Sequence, residues 1–223
     1  MRRKYVLLLA LLCCYLGTIA QDTVPQYSVQ LIQITDIHED GVLVVRLESG
    51  TAKIKAIQAR IANSDTKKAY WKNQLAELKQ DLDYKNKAIM AAFAANYRFS
   101  EVLYLYDIDS KQLKGREGNG IFLDENLAYD QSIQLGDRPF IVATEAESVS
   151  GAEGIYLLDE QLDRLEKPLP HFVKLNSVFF LFNQFTSTEL AIQRMYKQAA
   201  VGLNSKLFRY MMKERRRSAK KAY

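Results

Sequence analysis

Asp107, Asp109 and Asp124, with Glu125 and Asp130 close behind, are the residues of this chain best placed to do chemistry. The first two close an apolar run that reads as a strand. In open α/β sheets ligands bind beyond the carboxyl ends of the strands. A hard cation such as calcium takes several oxygen ligands from flexible loops, so Asp107, Asp109 and Asp124 are the candidate metal set. Paired carboxylates would also suit a hydrolase. The spacing matches no EF-hand, and charge after a strand also serves solubility. No residue is assigned a catalytic role and no cofactor is implied.

Other chemistry is poorly supplied. His38 lies in Asp36-Ile37-His38-Glu39-Asp40, which reads as a solvated polar turn between strands, and His171 follows Pro170 with no acid beside it. Catalytic zinc wants three protein ligands. A serine hydrolase needs a nucleophile, a base and an orienting acid, and there is no GxSxG elbow. Gly115-Arg116-Glu117-Gly118-Asn119-Gly120 lacks the phosphate-loop pattern and reads as a hairpin turn.

The cations are gathered at the end. Residues 99–166 hold 5 basic and 15 acidic residues, whereas residues 167–223 hold 12 basic and 2 acidic ones. The two stretches are expected to neutralise each other within one folded domain. Arg215, Arg216, Arg217, Lys220 and Lys221 form the densest patch. It reads either as a solvated helix end or as a contact for an anionic membrane surface, at about 1 kcal/mol per cation. Nucleic acid is not expected, because base readout needs more than Arg and Lys and the chain reads as exported.

These residues must be positioned by an α/β (or α+β) arrangement. Val42–Leu47 is β-branched and nearly all apolar, as a strand inside a sheet would be. Ile54, Ile57 and Ile61 share one helical face, and Trp71, Leu75, Leu78, Leu82, Ile89 and Phe93 continue the pattern, predicting helices over 51–62 and 66–95. The stripe is assigned to the core. Residues 101–107 are the next strand, so the two strands should run parallel in a βαβ unit, the second of them central. Residues 139–144 and 154–158 read as paired strands across a polar loop, with further apolar runs at 171–174 and 178–182 and a weaker strand at 26–34. Thr186 and Glu189 fit a capping box opening a C-terminal helix that Gly202, Asn204 and Ser205 could divide.

Arg2, Arg3 and Lys4, the apolar run 6–16 and the small residues 17–20 read as a secretory signal peptide cut after Ala20. A membrane-spanning helix needs about 20 residues, which makes a retained anchor the weaker reading. Cys13 and Cys14 fall inside this segment, so the exported chain would carry no thiol. Their surroundings are poor for lipidation. The domains are then a signal at 1–20, one domain at 21–212 and a basic tail at 213–223, in the periplasm or outside the cell.

The order strand, helix, strand, proline-led strand, strand, helix over about 42–215 resembles the thioredoxin-like fold. That family carries a cis-proline before its third strand, which Pro139 would match. The family's CxxC motif is missing, so no redox activity is implied. Residues 96–104, 158–162 and 168–170, together with Gln21 after the cut, also resemble a group of exported Bacteroidota proteins, a likeness that implies no activity. The expected function is a non-catalytic accessory or binding protein with a protein or envelope partner. A carboxylate-based or cation-dependent hydrolase and a redox-inactive thioredoxin-like scaffold are the alternatives.

Overall fold

Val42–Leu47 (β1) buries alternate residues on opposite faces of a sheet. The protein was studied as a computed structural model that describes residues 34–64, 66–114, 120–147, 151–175 and 187–221. The signal segment, most of the 26–34 run, the glycine-rich 115–119, the run 178–182 and Thr186 lie outside the described residues.

β1 is followed by helices α2 (Thr51–Asn63) and α3 (Lys68–Asn96) and by strand β2 (Glu101–Tyr106), each within two residues of its expected bounds. An earlier helical segment, α1, ends the N-terminal part at 34–39. A 3₁₀ turn at Asp107–Asp109 and the short helix α4 (Ser110–Lys114) follow β2. Strands β3 (Phe140–Glu147), β4 (Glu153–Leu158) and β5 (Phe172–Lys174) and the 34-residue helix α5 (Thr188–Lys221) complete the chain. The sheet order is β2-β1-β3-β4-β5. β1 pairs in parallel with both β2 and β3, while β3–β4 and β4–β5 are antiparallel. This is a mixed α/β sheet with a helical crossover and a C-terminal helix.

One face carries Leu43, Val45, Leu47, Ile141, Ala143, Ile155 and Leu157 under the body half of α3 and under α5. The other carries Val42, Val44, Leu103, Leu105 and Val142, covered by Leu113, Ile121 and Phe122. The burial of β1 on both sides follows from this sandwiching. Gly50 turns the chain from β1 into α2 at φ 65°, and a side chain there would collide with Leu82. That left-handed conformation suits glycine.

Several expectations are corrected. β2 lies at an edge, because β1 rather than β2 receives β3. Leu123 N–H donates to the Tyr104 carbonyl at 2.9 Å, which partly covers that edge. β3 runs on through the polar Glu145 to Glu147, since β4 supplies ladder partners as far as Glu153. The peptide before Pro139 is trans; the cis bond precedes Pro168. His38 is helical and not in a solvated turn. Its ring stacks on Phe99 at 4.7 Å and meets the edge of Phe208 at 5.3 Å, and its Nδ1 lies 2.6 Å from the Phe99 carbonyl. A carbonyl only accepts, so Nδ1 carries the proton. α5 is undivided. Ser187 Oγ accepts from Leu190 N–H at 3.4 Å at its start.

Candidate functional site

The carboxyl ends of β1 and β2 place the three candidate aspartates close in sequence, yet each is engaged separately. Asp107 Oδ1 accepts from Ser49 N–H at 2.9 Å and from Ile108 N–H at 3.0 Å, tying the end of β2 to the β1–α2 turn. Asp109 Oδ2 accepts from the Tyr129 hydroxyl at 2.8 Å. Asp124 Oδ1 accepts from Asn126 N–H at 2.9 Å and Ala128 N–H at 2.8 Å, the geometry of an Asx turn. Among the described residues no set of three His, Cys, Asp or Glu side chains could hold a metal ion. A groove of about 440 Å³ opens beside them, lined by Ser49, Lys79, Asp83, Tyr106, Asn126 and Tyr129 among others, but by none of the three aspartates. Burial, then the bond to Asp109, pushes the Tyr129 phenol up to about 12. Arg46, half-buried at the end of β1, has its pKa lowered by burial and partly restored by Asp107.

A second cluster, absent from the sequence reading, forms where β1 and β3 lie side by side. Lys85 of α3 reaches Glu145 at 2.8 Å and Glu48 at 3.2 Å. Lys53 also pairs with Glu48 at 2.8 Å. The Tyr196 hydroxyl of α5 donates to Glu145 at 3.0 Å, and Asn86 Nδ2 donates to the Glu48 carbonyl at 2.9 Å. Burial works to lower the Lys85 pKa, but Glu145 and Glu48 outweigh it and raise the value. The Glu48 carboxyl is held below its ordinary value, chiefly by the Lys53 hydrogen bond. Burial, with Glu145 alongside, raises the Tyr196 phenol. This cluster joins β1, α2, α3, β3 and α5, and it is filled by its own partners. Its chemistry is that of a structural clasp. The signal that could have revealed it is the strand order: β1 and β3 are neighbours, which brings Glu48, just past the end of β1, near Glu145 of β3, and Lys85 stands on α3.

The third region is the end of α5. Among the described residues Met211 is the last buried one, and from Met212 to Lys220 the helix is exposed apart from the half-buried Glu214. Arg215 does not belong to a free cationic patch: it turns back to Glu39 at 2.9 Å. Arg217 pairs with Glu214 at 2.5 Å. Arg216 and Lys220 are exposed, and of Lys221 only the helical backbone is described. The described ion pairs of α5 go to Glu39 and within the helix. Arg209, which sequence reasoning passed over, and Lys213, the first residue of the expected basic tail, fall in line with Arg216 and Lys220 at spacings of four, three and four. That spacing puts all four on one side of a helix. The exposed Met212 flanks them, and the shallow surface around these residues measures about 480 Å³.

By fold and site the molecule is a mixed-sheet α/β protein with an internal charge clasp and an exposed cationic helix end. The chain matches no protein-family model, no curated protein and no solved structure. No described helix is long and apolar enough to cross a membrane.

Proposed function

We propose that this chain is an exported, non-catalytic accessory protein of the cell envelope that rests on an anionic membrane surface through the last turns of α5. The stripe Arg209, Lys213, Arg216 and Lys220 carries the reading, because none of the four has a carboxylate partner among the described side chains. At about 1 kcal/mol per cation near an anionic surface, four cations supply about 4 kcal/mol. Such binding is reversible and weakens with salt, since the Debye length falls to about 8 Å at physiological ionic strength. Export rests on the N-terminal sequence pattern, and fractionation with N-terminal sequencing of the secreted form tests it.

The membrane test is flotation with phosphatidylglycerol vesicles at low salt. Neutralising the stripe (R209Q, K213Q, R216Q, K220Q) abolishes binding, while R215Q with R217Q, whose cations already face protein carboxylates, retains most of it. Absence of wild-type flotation, or equal loss in the two variants, overturns the reading. A redox-inactive thioredoxin-like scaffold is the second reading. The shared order of elements supports it, and the trans bond at Pro139 weighs against it. The hydrolase alternative draws less support, because Asp107, Asp109 and Asp124 each bond to a separate local group.

A further inference from the structure

The sequence pattern placed the stripe of α2 and α3 in the core, but the structure divides it. α2 contains no buried residue, and α3 buries side chains only from Leu82 onward. Residues 51–81 therefore form a two-helix arm that stands off the sheet. Its α3 portion is about 21 Å long at 1.5 Å per residue. Ile57 and Leu78 are only half-buried and form the floor of an open groove of about 400 Å³ between the helices. Within the arm the apolar faces of the two helices have only each other to pack on.

The banks of the groove carry opposite charge. Lys53 and Arg60 line the α2 side, and Glu77 and Asp81 the α3 side. Lys53 also reaches Glu48, and Arg60 lies over the Trp71 ring at 4.6 Å. Both cations nonetheless stay exposed. We infer that this arm is a self-association surface on which a second copy of the chain docks groove to groove. A two-fold axis along the arm sets α2 of each copy against α3 of the other. It brings Lys53 and Arg60 over the partner's Glu77 and Asp81 twice in one interface. A two-fold axis across the arm would instead oppose α2 to α2 and set like charges together. Symmetric interfaces must be self-complementary, and the charge pattern selects the first arrangement, an intermolecular four-helix bundle. The inference is independent of membrane binding, which uses α5.

Charge reversal tests it. Sedimentation equilibrium of the purified protein over a concentration series should show a monomer–dimer equilibrium that weakens with salt. K53E/R60E makes both banks acidic and E77K/D81K makes both basic, so each variant alone should dimerise at least about tenfold more weakly. Mixed in equal amounts, the two should form heterodimers at close to wild-type strength, with circular dichroism confirming that each is folded. A wild type that stays monomeric throughout overturns the inference and leaves the groove to another protein or to a segment of this same chain. So does a mixture that associates no better than its components.

Discussion

The acidic strand ends and the Lys85 clasp both lie at the carboxyl side of the parallel strands, and they use charge in opposite ways. Asp107, Asp109 and Asp124 are near one another in sequence, but each satisfies a separate local group: a turn amide, a tyrosine hydroxyl, a pair of loop amides. Glu48, Lys85 and Glu145 are scattered over almost a hundred positions and converge on one ammonium. The lesson is that carboxylate density along a chain measures solvation and turn chemistry. Convergence depends on which strands become neighbours. A carboxylate at a strand end is satisfied by the amide or hydroxyl nearest it, and a lysine between two carboxylates becomes a crosslink.

That contrast can be broken or sharpened by substitution. Lys85→Met should have the largest effect, lowering stability by about 2 kcal/mol in chemical denaturation, because it leaves Glu145 without its cation and Glu48 with Lys53 alone. The figure is below that of a buried pair because both glutamate side chains are about a third exposed, at 32% and 31%. Tyr196→Phe should cost about 1 kcal/mol, the net worth of one hydrogen bond to a carboxylate. Asp124→Ala should cost about 0.5 kcal/mol, since its two amide partners are exposed and water replaces them. If Asp124→Ala costs as much as Lys85→Met, the distinction between the two regions fails. Asp109→Asn should leave stability nearly unchanged while bringing the Tyr129 phenol down from about 12, read by ultraviolet difference titration.

The clasp also predicts a pH profile. Glu48 is held below its ordinary value, so its contribution is present above the ordinary carboxyl range and disappears as pH falls through the lowered value. Lys85 is held above its ordinary value, so its contribution is complete below 10.5 and lost as pH rises through the raised one. The stability difference between wild type and Lys85→Met should therefore be flat up to about pH 10 and shrink above it, with a smaller fall on the acid side because Lys53 still holds Glu48 in the variant. A difference that varies steeply near neutrality would mean that another group governs the clasp.

Much of the scaffold was legible beforehand. The near-continuous apolar run of β1 announced an interior strand, and the three-and-four spacing of Ile54 through Phe93 announced the helices. The site was less so. Glu145 sits in a polar stretch that reads as a loop, and only the ladder with β4 makes it a strand residue aimed at Lys85. Lys85 looks like any cation on the polar side of an amphipathic helix. Arg215 looks like its neighbours until Glu39 is brought beside it, 176 positions away. Trp71 and Leu82 belong to one periodic stripe, yet only Leu82 reaches the core.

By itself the sequence determined where β1, β2 and the helices between them lie and that the two strands run parallel, because side-chain periodicity and crossover length are local properties of the chain. Tertiary structure alone decided which strand is the edge, where α3 leaves the core, and which charges meet. Those outcomes depend on contacts between residues far apart along the chain, and periodicity carries no record of distance through space.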